Sequence, residues 1–318
     1  MRIAILDDYA GQALALADWG QLGAEVTVFS DTITDPDALA DRLDGFDVVC
    51  LMRERTPFGA DLIGRLPNLK LIVTTGPKNA AIDVAAARAR GITVSGTQSR
   101  KTTTSELAML MIMALNRRLM PEVASLNAGG WQVGLGRDLD GLTLGLIGLG
   151  NIGAQMSVRA RAFGMNVIAW SQNLTADRCA ELGVGQASSL PELMSRSDVS
   201  SVHLVLSERS RGLVGREAFE AAKPGHVFVN TSRGPIVDSP ALLAGLRAGR
   251  PAMAGLDVFD TEPLPADDPL RADDLIADGR LLLTPHLGYT TQETFRLFYR
   301  QTVEAIAAWA KGTPIREL

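Results

Sequence analysis

Short apolar runs alternate with amphipathic stretches along almost the whole chain. In the first hundred residues the apolar runs fall at Ile3–Leu6, Glu25–Phe29, Val48–Met52, Leu71–Thr75 and Ile92–Ser95. The stretches between them predict helices such as Asp37–Leu43, Ala60–Leu66 and Ile82–Arg90. Strands that alternate with helices in this way imply a parallel sheet covered on both faces. A longer helix is predicted over Lys101–Leu119, with Thr103, Thr104 or Ser105 to cap its start and Arg117 and Arg118 suited to the negative end of its dipole. The glycine-rich stretch Ala128–Gly136 reads as an exposed excursion, with Trp131 packed at an interface. A second alternation then places strands at Leu144–Ile147, Val167–Trp170, Val199–Val205, Val227–Asn230, Ala252–Leu256 and Leu281–Thr284. A last helix near Gln292–Ala310 carries Phe295, Phe298, Val303, Ile306 and Trp309 and is expected to cross back onto the first domain. The pattern describes an α/β protein with two doubly wound parallel-sheet domains, the first of them discontinuous.

Composition narrows the class. The chain has 318 residues, 46% hydrophobic and 21% charged, which suits two globular domains of ordinary size. A net charge of −5 argues against a broad nucleic-acid surface. No apolar run reaches the length of a membrane span. Met1-Arg2-Ile3-Ala4-Ile5-Leu6-Asp7 reads as a strand and not as a signal peptide. Cys50 and Cys179 lie in apolar or amphipathic segments without metal-ligand spacing, so reduced buried thiols in a cytoplasmic protein are expected.

One segment carries chemistry of its own. Leu142–Gly153 is an apolar run ending in Gly148-x-Gly150-x-x-Gly153, followed at once by a helical pattern. The first glycine permits a tight turn, the second admits a pyrophosphate to the backbone, and the third allows close packing of helix on strand. The helix that starts here aims unpaired N–H groups and a positive dipole end at that phosphate. Gly148, Gly150, Asn151, Ile152 and Gly153 are therefore candidate dinucleotide contacts.

Three further residues each follow a separate strand of the second sheet, where α/β sheets place their ligand crevices. His286 comes just past Leu281–Pro285 and before Gly288. Imidazole exchanges protons near neutrality, which suits an acid/base. Of the other two histidines, His203 lies within a predicted strand and reads as packed or partly exposed, and His226 follows the turn Lys223-Pro224-Gly225 and is expected to face solvent. Arg233, in Asn230-Thr231-Ser232-Arg233-Gly234, offers a guanidinium that can grip a carboxylate with two parallel hydrogen bonds. Glu262, in Asp260-Thr261-Glu262-Pro263, offers a carboxylate that would fix the tautomer of an imidazole and favour its charged form.

These segments resemble the D-isomer-specific 2-hydroxyacid dehydrogenase family. The resemblance is carried, in family order, by Gly148–Gly153, Asn230–Asp238, Ala254–Pro265 and Leu283–Gly288, and extends to Gly91-Ile92 and Ser105-Glu106. It implies two Rossmann-like domains: a flavodoxin-like substrate domain of residues 1–100 plus 288–318, and a dinucleotide-binding domain of residues 101–287. It implies transfer of a hydride between NAD or NADP and a small 2-keto or 2-hydroxy acid. Arg233 resembles the substrate-binding arginine, His286 the proton donor and acceptor, and Glu262 the acid that orients that histidine and raises its pKa. Asp257 is similar to a residue contacting the nicotinamide amide, and Thr231 to a backbone contact of the cofactor. Thr104, Ser207, Ser232, Arg233, His286 and Gly288 join the expected cofactor contacts. Gly76 matches a first-domain loop whose amides receive the substrate carboxylate. A homodimer is expected through Leu119–Gly136. The end of the chain at Leu318 is expected to disfavour a version with an amino-acid-sensing domain. A non-catalytic, dinucleotide-dependent sensor resembling the family's corepressors is the alternative reading, and Glu262 argues against the formate-oxidising branch, which carries a glutamine beside the histidine.

Two features depart from the pattern. An NAD-selective site usually carries an acid about 20 residues after the glycines. Here the strand ends Ala169-Trp170-Ser171-Gln172-Asn173, and Ser171 and Asn173 can hydrogen-bond either form of the ribose. The nearest arginine in sequence, Arg178, lies along the next helix, and a relaxed or NADP-leaning selectivity follows. The first-domain loops are also basic, and Arg53 and Lys78 are candidate anchors for an anionic substrate.

Overall fold

A computed structural model describes all 318 residues. The elements follow one another as β1 (Arg2–Ile5), β2 (Glu25–Val28), α1 (Pro36–Leu43), β3 (Val48–Leu51), α2 (Ala60–Gly64), β4 (Leu71–Thr74), α3 (Val84–Ala89), β5 (Thr93–Gly96), α4 (Thr103–Asn116) and α5 (Leu119–Asn127). They continue with β6 (Thr143–Ile147), α6 (Asn151–Ala162), β7 (Asn166–Trp170), α7 (Ala176–Glu181), β8 (Gly185–Gln186), α8 (Leu190–Arg196), β9 (Val199–Val202), α9 (Arg216–Ala221), β10 (Val227–Asn230), α10 (Ser239–Ala248), β11 (Met253–Leu256), α11 (Asp273–Ala277), β12 (Leu281–Leu283) and α12 (Gln292–Ala310). Two compact units result: Met1–Arg100 with Thr290–Leu318, and Lys101–Tyr289.

The first unit is a five-stranded parallel sheet in the order β2-β1-β3-β4-β5, the flavodoxin-like arrangement. All four residues of β3 and of β4 are buried, as expected of strands covered on both faces. The long α12 belongs to this unit and packs on β4 and β5. Its Tyr299 is buried, stacks edge-on against Trp19 and donates to the Asp8 carboxylate at 3.1 Å.

The second unit is a seven-stranded parallel sheet in the order β12-β11-β10-β9-β6-β7-β8. β6 lies between β9 and β7, so the direction of winding reverses there and opens a crevice at the carboxyl ends of the strands. One face of this sheet packs on α4 and α6 through residues such as Met111, Ile112, Leu146 and Met156, and the other on α8, α9 and α10 through Leu193, Phe219, Phe228 and Leu242. The register aligns Trp170, Ile147, Val202, Asn230, Leu256 and Leu283 in one row at the carboxyl edge. At the usual strand spacing the row spans roughly 24 Å.

Three sequence-based expectations are corrected. The helix expected over Lys101–Leu119 stops at Asn116, three residues short, and a second helix that the sequence reading did not expect follows it. The Asn116 carbonyl accepts from the Arg137 amide and its side-chain oxygen from the Arg137 guanidinium, Arg118 takes a left-handed backbone (φ 52°), and α5 starts afresh. The strand expected over Val199–Val205 ends at Val202, which leaves His203 just beyond the sheet. His226 does not face solvent. It is fully buried where the turn before β10 tucks its ring inward, with Nδ1 donating to the Ser197 carbonyl at 3.1 Å and Nε2 paired with the Ser200 hydroxyl at 2.8 Å.

No helix is long and apolar enough to cross a membrane. Burial pushes the His226 pKa down to about 4. The unfolded chain takes up this proton near the ordinary value and the folded chain does not. Stability is therefore fully present above about pH 6.5 and declines toward pH 4, by about 3 kcal/mol from this one residue. Urea unfolding of the wild type and of His226→Gln across this range is expected to show a shallower acid decline in the variant. Parallel declines would remove His226 as the cause.

Candidate active site

The glycine turn occupies the crevice at the winding reversal. Gly148 has φ 105°, its N–H donates to the Trp170 carbonyl, and a Cβ there would lie 2.6 Å from the His203 carbonyl oxygen. A Cβ on Gly153 would lie 2.2 Å from the Gly148 carbonyl oxygen, so α6 packs directly on the turn. Gly150 has nothing within 4 Å of such a position, and it caps α6 without any side-chain hydrogen bond to the first turn. Asn151 is exposed and Ile152 half-buried beside it. The backbone thus leaves room for an anion at a helix N-terminus, with the N–H groups of the first helical turn directed at it. Two strands along the same edge, past β10, the buried Thr231 hydroxyl has no hydrogen-bond partner. These residues fit the pyrophosphate of a dinucleotide.

Further along the row, three consecutive strands each deliver one of the expected chemical groups. Past β10, Asn230 organises the turn: its amide donates to the Arg233 carbonyl at 2.9 Å and its side-chain oxygen accepts from the Ser232 N–H at 3.0 Å. The Ser232 hydroxyl donates to the Leu204 carbonyl, which ties this turn to the segment after β9. Arg233 is half-buried, with Nη1 donating to the Ser232 carbonyl at 2.8 Å. Gly234 follows because only a glycine fits: a Cβ would lie 2.1 Å from the Phe259 carbonyl carbon, so the turn after β10 sits backbone-to-backbone on the segment after β11. That segment carries Glu262, whose Oε1 accepts from the Phe259 N–H at 3.0 Å.

Glu262 Oε2 and His286 Nδ1 meet at 2.5 Å, each side chain 18% exposed. Nδ1 is thereby the nitrogen turned toward the carboxylate, and Nε2 lies on the opposite side of the ring. Tyr289 packs edge-on against the imidazole, ring centroids 5.3 Å apart. His286 has a left-handed backbone, φ 53°, a conformation that costs a non-glycine residue about 1–2 kcal/mol.

Asp257 holds that conformation in place. Its carboxylate is fully buried and accepts from the Thr284 hydroxyl at 2.6 Å, the Leu287 N–H at 2.6 Å and the Gly288 N–H at 2.9 Å. Burial pushes its carboxyl above the usual carboxylate range, against these hydrogen bonds, which favour the charged form. Thr104, at the start of α4, donates to the Gly288 carbonyl at 3.1 Å and closes the turn from the other side. Asp257, expected as a cofactor contact, thus also serves as the acceptor that organises the turn between β12 and α12.

The remaining expected positions divide. Ser171 is half-buried and Asn173 exposed at the tip of β7, and Ser207 is exposed past β9, with its N–H donating to the Ser210 hydroxyl at 2.8 Å. In the first unit, Arg53 is half-buried after β3 with φ 55°, anchored by its N–H to the Thr75 hydroxyl at 2.9 Å and by its carbonyl to the Asn79 amide. Its guanidinium covers Gly76, where a Cβ would clash with Nη1. The Gly76 N–H donates to the Thr97 hydroxyl at 2.7 Å, so that amide is already engaged. Lys78 is exposed. The sequence reading missed the clamping role of Asp257 and the ring contact of Tyr289. An aromatic three residues past the histidine was the available signal for Tyr289, and nothing local signalled the clamp.

Asp257→Asn keeps the size but leaves one oxygen for Thr284 and Leu287 and turns an NH2 group toward the Gly288 N–H. The variant is expected to lose about 1–3 kcal/mol of stability in chemical unfolding. A loss below about 0.5 kcal/mol would show that the clamp contributes little.

Comparison with known proteins agrees with this geometry. Residues 109–288 match the family model described as D-isomer specific 2-hydroxyacid dehydrogenase, NAD binding domain. The chain is 37% identical over 246 residues to a D-3-phosphoglycerate dehydrogenase of Mycobacterium leprae, covering 76% of this chain and 45% of that protein, so it spans about half the length of that relative. It is 35% identical over 263 residues to a glyoxylate reductase of Korarchaeum cryptofilum, covering 80% of this chain and 77% of the relative. A crystal structure of a phosphoglycerate oxidoreductase from Vibrio cholerae superposes with a TM-score of 0.90 at 36% identity, covering 98% of this chain and 99% of that one. With the glycine turn, the three strand-end segments and these matches together, the chain belongs to the D-isomer-specific 2-hydroxyacid dehydrogenase family.

Proposed function

We propose that the protein is an NAD(P)-dependent oxidoreductase that interconverts a small 2-keto acid and the corresponding D-2-hydroxy acid. The observation that carries this reading is the 2.5 Å contact between Glu262 and His286 at the carboxyl edge of a dinucleotide-type sheet. The turn Gly148–Gly153 would hold the pyrophosphate, with Ser171, Asn173, Ser207, Thr231 and Ser232 along the same edge as further contacts. When bound, the nicotinamide supplies or accepts the hydride at the substrate's C2.

The chain's own residues handle charge and protons. Arg233 would grip the substrate carboxylate and polarise the keto oxygen as negative charge develops there. His286 would pass a proton from Nε2 to that oxygen in reduction and take it back in oxidation. Glu262 would fix the imidazole tautomer through Nδ1 and leave Nε2 for the substrate. Asp257 acts as a positioning residue by holding the turn on which His286 stands. The relatives' names, a glyoxylate reductase and phosphoglycerate dehydrogenases, suggest a small substrate. In the first unit, Arg53 and Lys78 offer positive charge on the loops after β3 and β4 as candidate anion contacts.

The second copy of the chain is the expected partner. α5 buries none of its residues, and Leu126, Trp131, Val133 and Leu135 are exposed, Trp131 by 73% and Leu135 by 94%. An apolar surface of this kind marks an interaction site.

His286→Ala is expected to lower kcat for keto-acid reduction by about a hundredfold or more. Glu262→Gln should lower kcat by less and leave the KM for the keto acid within a few-fold. A panel of glyoxylate, hydroxypyruvate, its phosphate ester and branched 2-keto acids, assayed with NADH and NADPH, tests the reaction class. Absence of turnover across the panel would favour the binding-only alternative, and near-wild-type turnover by His286→Ala would reject the acid/base assignment.

Light scattering should report a homodimer. Leu135→Asp combined with Leu126→Asp should yield a folded monomer, and a wild-type monomer would contradict the proposal.

A further inference from the structure

The dinucleotide reading leaves open which ribose the second unit accepts. In a sheet of this topology the adenosine ribose lies at the tip of the strand beside the glycine strand, where an acid binds a 2′-hydroxyl and an arginine accommodates a 2′-phosphate. That tip is Ser171-Gln172-Asn173, which follows Trp170, the register partner of Ile147. It carries no acid. The arginine nearest in sequence does not serve it either: Arg178 on α7 donates to Glu181 at 2.6 Å.

The structure supplies a different cation. The segment after β9 turns back toward β7, and Arg209 reaches the tip from 36 positions downstream of Asn173. Its Nη2 donates to the Asn173 side-chain oxygen at 3.3 Å, and its own carbonyl accepts from the Gln172 amide at 3.2 Å. The turn that carries it is braced internally. The buried Ser210 hydroxyl accepts from the Ser207 N–H at 2.8 Å and donates to the Val205 carbonyl at 2.8 Å, and the Gly212 N–H donates to the Pro235 carbonyl at 2.8 Å. The backbone of Arg209 is thus fixed on both sides while its side chain stays exposed. Val205, 86% exposed in the same segment, offers an apolar surface beside it.

We propose that Arg209, placed on Asn173, makes this a site for a 2′-phosphorylated adenine dinucleotide, NADP(H). A guanidinium has five donors in a planar fork, and the bond to Asn173 uses one of them. The others can take a phosphate dianion, with Ser171 and Asn173 as neutral neighbours. Glu208, the adjacent residue in the turn, is exposed, and Glu181 is already paired with Arg178. The tip itself presents no carboxylate to repel a phosphate.

The proposal rests on the dinucleotide reading of the glycine turn, and direct binding separates the two. Isothermal titration of the full chain with NADPH, NADH, adenosine 2′,5′-bisphosphate and AMP is expected to show NADPH binding about tenfold or more tighter than NADH, and the bisphosphate tighter than AMP. Arg209→Ala should weaken NADPH by about tenfold or more and leave NADH within about twofold, and Arg209→Lys should recover part of the loss. Asn173→Asp should reverse the preference toward NADH, with unchanged thermal unfolding showing that the turn is intact. Equal wild-type affinities for NADPH and NADH would overturn the proposal while leaving the dinucleotide reading intact. So would an Arg209→Ala variant that binds both dinucleotides like the wild type, or one that loses both equally. Binding of neither dinucleotide would overturn both readings.

Discussion

A single buried carboxylate fixes the turn that carries His286 at the edge of the second unit. Asp257 accepts three hydrogen bonds from Thr284, Leu287 and Gly288, and through them fixes a turn in which His286 occupies left-handed backbone. Backbone strain of this kind persists only where the surroundings over-determine it. Here the over-determination comes from a buried carboxylate that accepts all three hydrogen bonds at once. The Thr104 hydroxyl on the Gly288 carbonyl closes the last side. Once the turn is fixed, the imidazole can meet Glu262 only along one line, with Nδ1 inward.

The rest of the edge follows from the register of a parallel sheet. Six strand ends lie in one row, and the segment after each contributes one element: the Ser171–Asn173 tip, the glycine turn, the Arg209 segment, the Arg233 turn, the Glu262 loop and the His286 turn. Neighbouring segments are also bonded to each other. Ser232 reaches the Leu204 carbonyl, Gly234 rests on Phe259, and Arg209 rests on the β7 tip. The edge is therefore cross-linked between neighbouring segments by hydrogen bonds and close backbone contacts. A group on one loop is positioned by the loops beside it as much as by its own strand.

The use of arginines shows how geometry sorts equivalent charges. Arg178 and Arg209 lie five and 36 residues from Asn173, yet the near one is paired with Glu181 and the distant one bonds to Asn173. In the first unit, Arg53 is drawn over Gly76 because the loops after β3 and β4 share the Thr75 and Asn79 hydrogen bonds. The price of that packing is that the Gly76 amide turns inward to Thr97.

The architecture was legible in the sequence because it rests on local signals. Period and run length marked most strands, glycine spacing marked the nucleotide turn, and the position of Arg233, Glu262 and His286 just past three apolar runs pointed to one rim. What the sequence could not give were contacts that depend on distant partners. The break after Asn116 needs Arg137, the burial of His226 needs Ser197 and Ser200, and the clamp on His286 needs a carboxylate 29 residues upstream. Arg209 at the β7 tip is of the same kind. Local pattern records what a residue prefers with its neighbours in sequence. Which charge meets which donor across adjacent strand ends is settled only when the sheet fixes its register.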